Sequence, residues 1–549
     1  MSGPRDPLSR LKRGARVVAF GNPLYKFTLG GRAPTVLAVV PSDPWPGTVA
    51  AGAQMIQGVY RFGGERVQSD EPLWYPAGVG AAWLKAAHSF DWMRDLRAVG
   101  GDAGRRHARL LVTSWLDHNS AWDAISWEPE ILGTRIANWI GLHDFYCASA
   151  DDGFRRRVFD SLSRQATHLA RVLPGSLSGS AVIAAVKGLI YATLCLPLPD
   201  KPLNLVLRIL ERELPRQLMA DGIHVERNPT THLRVLRHLV DLRAVFRAAR
   251  AEMPEQVQQA IDRMTPALRF FRHGDGGLAL FNGSQEQEPL LIDTVLTQAD
   301  ARGRPLRSAP YGGYERVLAG RALLLLDTGR PPRAPLDRTS HAGPLSFEFS
   351  IGRERLIVNC GHHPCDIGAW RRGMAATAAH STVVVAETNA AEVLEDGGIG
   401  RRPENMTCER REIHGATLIE ASHDGYRRNF GIIHHRRLYL SDNGEDLRGE
   451  DILEGPPERT FTVRFHLHPG VTAALLPDGQ GVLLTLPSGA TWRLRSGIGR
   501  LDIVDSIYLG LGDIPEPTRQ ITISGITQSG ATPVKWALRR DAQPDQDPT

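Results

Sequence analysis

The residues best equipped for chemistry in this sequence are imidazoles and guanidiniums set close to carboxylates and amides. In Asp221-Gly222-Ile223-His224-Val225-Glu226-Arg227-Asn228-Pro229 a carboxylate and a guanidinium stand side by side, and His232 follows at a helix entry. An imidazole can take or give a proton near neutrality, and a guanidinium can hold a carboxylate through paired hydrogen bonds. The Asn228-Pro229 break keeps Arg227 out of a helix face, which predicts a guanidinium at the mouth of a cleft. Glu226, Arg227 and His232 equally suit a helix cap and a structural ion pair, so both roles stand here. Arg135, Asn138 and Trp139 share one helical neighbourhood, where Arg and Trp can grip a sugar ring and its carboxylate by a charged hydrogen bond plus stacking. An aromatic core staple with an Arg cap fits the same spacing. The doublets His362-His363 and His434-His435 are weak metal candidates, because neighbours on a strand point to opposite faces. Gly274-Asp275-Gly276-Gly277 lacks the strand-to-helix setting of a nucleotide loop and reads as a turn.

These residues must be held by two kinds of element. From about Ala81 to Phe271 apolar residues recur at three- and four-residue spacing, as in Ile131, Ile136, Trp139 and Ile140, and again in Leu233, Leu236, Leu239 and Val240. Breakers such as Pro174-Gly175 and Asp221-Gly222 divide this stretch into helix-loop-helix pairs, which predicts a curved helical array. Beyond Gly277 the period becomes two, with strand-like runs at 322–326, 345–350, 355–358, 382–385, 460–468, 481–486 and 519–523. Many short strands without intervening helices predict a large antiparallel β-sandwich. The chain is therefore divided into an N-terminal extension with short helices (1–80), a helical domain (81–285), a sandwich (286–535) and a disordered tail rich in Asp, Gln and Pro (536–549).

At 549 residues, with 42% hydrophobic and 23% charged residues, the chain is an ordinary globular composition too long for one core. Its net charge is +5 and most cations are Arg, which suits an anionic ligand or simple solubility; no nucleic-acid partner is expected. Five cysteines without a CxxC pair support neither a disulfide framework nor a Cys-rich zinc module. No window is apolar for long enough to span a bilayer, and the run Val17 to Phe20 is too short for a signal peptide. A cytoplasmic location is expected, with the periplasm or envelope as the alternative.

Four segments, in this order, resemble the heparinase II/III-like family: 221–229; Pro266-Ala267-Leu268-Arg269-Phe270-Phe271-Arg272-His273-Gly274-Asp275-Gly276; Ser340-His341-Ala342-Gly343-Pro344-Leu345-Ser346-Phe347-Glu348; and Ala378-Ala379-His380-Ser381-Thr382. Arg135 to Trp139 and Arg464 to Pro469 look like further landmarks. The resemblance implies an incomplete (α/α) toroid followed by an antiparallel β-sandwich, with an acidic polysaccharide or oligosaccharide bound between them. It also implies cleavage by β-elimination, in which a uronate carboxylate is neutralised, a base removes the C5 proton and an acid protonates the departing O4.

The sequence departs from the family at the reacting positions. Ser180-Ala181 stands where the family's Asn-His is expected, and Thr231 where its Tyr is expected; a threonine hydroxyl is far too weak an acid to replace a phenol. Thr339 replaces the first His of the sandwich motif. On the resemblance, His232, His341, Arg227 and Glu226 form the expected catalytic set, and Arg135, Asn138, Trp139 and His224 the expected substrate contacts. His341, Asn359 and His380 correspond to the family's zinc ligands, weakened because Asn359 stands where a carboxylate belongs; the pair His341 and His380 also suits a hydrogen-bonded sandwich interior. The expected function is a lyase with an atypical catalytic set, His232 and His341 facing one cleft. The alternatives are a non-catalytic acidic-glycan-binding or envelope-polysaccharide accessory protein, and an interaction role for the helical concave face. The sequence leaves the oligomeric state open.

Overall fold

The computed structural model describes residues 14–541, apart from residues 15, 23, 32, 72, 73, 198–201, 366, 367 and 396. Helices dominate from Val49–Ile56 to Pro289–Ala299, and strands dominate after them. The hub of the helical half is the Ser180–Cys195 helix, apolar on nearly every side and touching the Pro129–Gly141, Asp152–Val172, Leu203–Gln217 and Pro229–Ala248 helices. It approaches the Pro129–Gly141 helix backbone to backbone, since a Cβ on Gly188 would lie 2.2 Å from the carbonyl oxygen of Gly133. Only paired glycines permit that crossing. Asn228 caps the Pro229–Ala248 helix by accepting from the Thr231 N–H at 3.0 Å, with Pro229 at the first helical position.

The strands after residue 307 form two antiparallel sheets packed face to face. One has eight strands, from Thr472–Leu475 at one edge to Met406–Ile413 at the other; the second has nine, from Arg500–Tyr508 to Ser308–Ala309. Alternation places Leu447, Asp451 and Leu453 inward and Arg448 and Glu454 outward along the Asp446–Gly455 strand. In the core between the sheets Phe347 stacks on Trp536, and Phe465 meets both rings edge-on.

The two halves have separate cores that meet across a tightly packed seam instead of a loose boundary. The Ala322–Asp327 strand is buried along its whole length. Leu323 and Leu325 pack with the helices, while Leu324 and Leu326 pack in the sandwich. The period-two pleat thus turns one strand into a two-sided seam. Two boundaries and one element differ from the sequence reading. The Pro289–Ala299 helix packs on the Pro229–Ala248 and Glu255–Phe270 helices, so the passage to strands lies near 300–307. The first 80 residues also carry a hairpin, Val59–Phe62 with Glu65–Gln68, closed by Gly63 and Gly64, both at positive φ. Residues 536–540, expected in the tail, complete the Gly530–Arg540 strand through ladder pairing; residues 542–549 lie outside the described residues. Among the described residues no helix is long and apolar enough to cross a membrane.

Candidate functional site

The 221–229 motif lies where the helical half meets the sandwich, and its geometry overturns the expectation for Arg227. Arg227 is a non-glycine residue at φ 52°, which aims its side chain away from solvent and into the seam. All five of its donors are used. Nε donates to the Gly312 carbonyl at 2.7 Å; Nη1 donates to the Gly329 and Arg330 carbonyls at 3.2 and 3.1 Å; Nη2 donates to the Gly313 carbonyl and to Asp327 Oδ1 at 3.1 and 2.5 Å. The guanidinium also lies 4.6 Å from the Tyr314 ring centroid, and Tyr314 Oη and Asn282 Nδ2 donate to the Arg227 carbonyl. Nothing remains to hold a ligand carboxylate.

Glu226 is half-buried and accepts from the Ser180 backbone N–H at 2.7 Å, a carboxylate at the N-terminus of the central Ser180–Cys195 helix. His224 and His232 are buried beside it. His232 Nδ1 accepts from the His224 N–H at 3.3 Å, so its Nε2 donates to the Met264 carbonyl at 2.9 Å. Likewise His224 Nδ1 accepts from the Glu226 N–H and its Nε2 donates to Gln217. Burial lowers the pKa of His232 to about 4 and that of His224 to about 3. Each ring therefore spends its one lone pair on backbone, and His232 does not face a cleft as a base.

Arg135, Asn138 and Trp139 are brought together, but inside the core. Arg135 Nε donates to Gln165 and Nη1 to the His88 carbonyl, both at 2.9 Å, with the guanidinium 4.2 Å from the Trp115 ring centroid. Trp139 meets Phe90 and Trp115 edge-on. Asn138 Nδ2 donates to the Ser89 carbonyl and its Oδ1 accepts from Arg94. Burial without a carboxylate partner pulls the Arg135 pKa down to about 9. The staple, not the sugar grip, is what this spacing builds.

His341 and His380 converge on the sandwich side, as their motifs imply. His380 Nδ1 donates to the Ala376 carbonyl at 2.8 Å, which leaves its Nε2 as the acceptor for His341 Nδ1 at 3.1 Å. In that tautomer His341 Nε2 carries a lone pair. Burial, with His380, His362 and Arg371 nearby, keeps His341 neutral by lowering its pKa far below that of a free imidazole. Gly343 makes the contact possible, because a Cβ there would lie 2.6 Å from the His380 ring. Arg436 fixes both motif loops by donating to the Leu345 and Ser381 carbonyls at 2.7 and 2.9 Å.

Asn359 does not join the imidazoles. Its Oδ1 accepts from the Ser381 N–H at 3.0 Å and its Nδ2 donates to Glu348 Oε1 at 3.3 Å. Glu348 is itself buried, binding the Leu280 N–H and His273 Nε2. Among the described residues no group of three or more His, Cys, Asp or Glu is placed to hold a metal ion. Two imidazoles with their carboxylate neighbour committed elsewhere do not fit the four-ligand set that zinc takes.

Sequence reasoning missed the partners of these residues: Asp327, Asn282 and Tyr314 around Arg227, and the His273–Glu348 pair at 2.9 Å. His273 and Glu348 both lie in quoted motifs, and that co-occurrence was the available signal. Asp327 and Tyr314 lie in ordinary strands and carried none.

The chain folds as a helical toroid joined to an antiparallel sandwich. It matches heparinase III with a TM-score of 0.74 at 14% identity, covering 97% of this chain and 91% of that one. The heparan sulfate lyase HepC of Pedobacter heparinus matches with a TM-score of 0.60 at 15% identity, covering 98% and 92%. Residues 301–537 match the family model described as heparinase II/III-like, C-terminal. The chain belongs to the heparinase II/III-like family. It is also 31% identical to FtsZ-localized protein C of Caulobacter vibrioides (strain NA1000 / CB15N), over 95% of this chain and 93% of that protein.

Proposed function

We propose that this chain has kept the lyase fold without the elimination chemistry and acts as a non-catalytic binding protein at FtsZ-containing structures. The observation that carries the first half is Arg227: the residue best suited to replace the missing carboxylate partner has all five donors taken inside the protein. Elimination breaks the C4–O4 bond and forms a C4–C5 double bond, and it needs a neutralised carboxylate, a base and an acid together. Ser180 and Thr231 stand at two of the expected reacting positions, and His232 is occupied by backbone. The second half rests on the 31% identity, across almost all of both chains, with a relative named for its localisation with FtsZ. The cytoplasmic location expected from the sequence is carried forward with it, and an acidic glycan remains the ligand class that the family suggests.

One feature favours residual lyase activity instead, namely the His341 Nε2 lone pair oriented by His380. Two measurements separate the readings. Purified protein incubated with a panel of uronic-acid polysaccharides is followed by the ultraviolet absorbance of unsaturated uronate, and co-sedimentation with FtsZ polymers is scored alongside a fluorescent fusion in cells. The expected result is flat absorbance with pelleting and co-localisation. A sustained absorbance rise restores the lyase reading, and a diffuse fusion that fails to pellet overturns the FtsZ assignment.

A further inference from the structure

Arg234, Arg237, His238 and Asp241 recur at three- and four-residue spacing on the Pro229–Ala248 helix and so share one face. That face looks toward the Ser180–Cys195 helix, Asp91 and Trp45. Lys187 pairs with Asp241 at 3.0 Å, and Trp45 Nε1 donates to the other oxygen of Asp241 at 2.7 Å. Arg237 pairs with Asp91 at 3.2 Å and lies 5.3 Å from the Trp45 ring centroid. Arg234 is exposed and donates only to Ser180 Oγ, at 3.1 Å, so its positive charge has no ion-paired carboxylate among the described residues.

Two polar atoms on this face are buried without partners. One is the Arg237 Nε–H, and the other is Nδ1 of His238, a residue only 6% exposed. Burial, reinforced by Lys187, Arg237 and Arg234 and opposed by Asp91, holds the His238 pKa well below the ordinary imidazole value. Unpartnered buried polar groups are rare in folded proteins, and a bound ion or water is their usual explanation. Here the orphaned arginine donor sits among further cations, so the missing partner is an acceptor with negative charge.

We propose that this face binds a tetrahedral oxyanion of the phosphate class, held by Arg234, Arg237, His238 and Ser180. The donors come from four side chains on two helices. A planar carboxylate offers two oxygens in one plane, whereas a phosphate presents acceptors in several directions and suits such a set better. Asp91, Asp241 and Glu226 are the carboxylates around the site, and all are already engaged: Asp91 by Arg237 and Arg94, Asp241 by Lys187 and Trp45, and Glu226 by the Ser180 N–H. This site lies in the helical half and does not depend on any association with FtsZ.

The test is calorimetric titration of the full chain with inorganic phosphate and, separately, with glucuronate. One saturable phosphate site is expected, weakened at least about tenfold in Arg234→Gln and in His238→Gln, the loss of one charged hydrogen bond. Arg234→Gln removes no ion pair, so its melting temperature in phosphate-free buffer should match the parent and keep the comparison interpretable. No saturable phosphate binding, unchanged affinity in both variants, or tighter binding of glucuronate than of phosphate would each overturn the assignment.

Discussion

Arg227 sits where the backbone takes a left-handed turn between a carboxylate that caps one helix and an asparagine that caps another. Its side chain enters the seam and gathers the Gly312, Gly313, Gly329 and Arg330 carbonyls with Asp327. Removing it strands a buried carboxylate and four carbonyls. Arg227→Ala should therefore cost about 3–5 kcal/mol, the range for breaking one partner out of a buried charged pair. Arg227→Lys, with three donors and no planar fork, should recover only part. Urea unfolding of the three proteins checks this, and a loss below about 1 kcal/mol in Arg227→Ala would refute the anchor role. Asn359 invites a parallel test. An Asp there restores the family's carboxylate, but it removes the donor to Glu348 and sets two carboxylates together. Asn359→Asp should lower stability by about 1–3 kcal/mol and leave zinc content unchanged; zinc binding with a raised melting temperature would mean that the imidazole pair is a metal centre after all.

At the scale of elements, the Ser180–Cys195 helix governs the toroid because so many helices pack on it. Its crossing with the Pro129–Gly141 helix depends on Gly188, where even a methyl group would meet the Gly133 backbone. Gly188→Ala should cost at least about 1–3 kcal/mol by overpacking, although alanine has the better helix propensity. The sign of that change is the measurement, because a stabilised variant would show that the helices can separate without loss. Glu226 acts on the same helix from its N-terminus. Glu226→Ala should cost about 0.5–2 kcal/mol, as loss of a cap does, with the melting temperature as readout.

At the scale of the molecule, buried neutral histidines set the acid limit. Burial lowers the pKa of His88 and His224 to about 3 and of His168 and His232 to about 4, in each case the first cause. In the unfolded chain these groups titrate near 6.5. Between roughly pH 6.5 and 4 the unfolded state therefore binds protons that the folded state refuses, so stability is full above this window and falls as pH drops through it. Each histidine contributes up to about 1.4 kcal/mol per pH unit there. Melting temperature should fall steeply from pH 6.5 to 4.5, and a flat profile would show that these rings are charged in the folded protein.

The sequence by itself determined the order of helices then strands and the family, because both rest on local period and on short motifs. It also located the His341–His380 meeting, through two motifs that must fold together. It did not determine what the polar residues do. The spacing of Arg135, Asn138 and Trp139 is the same whether a helix turns that face to a ligand or to its neighbours, and tertiary packing put it inward, against Trp115 and Phe90. The run Ala322-Leu323-Leu324-Leu325-Leu326 reads as a buried strand, yet only the fold divides it between two cores. Arg227 is the sharpest case. A guanidinium's role is set by which acceptors lie within about 3 Å of its five donors, and here those acceptors come from residues 312 to 330, roughly a hundred positions along the chain. Proximity across that separation is a property of the folded chain alone.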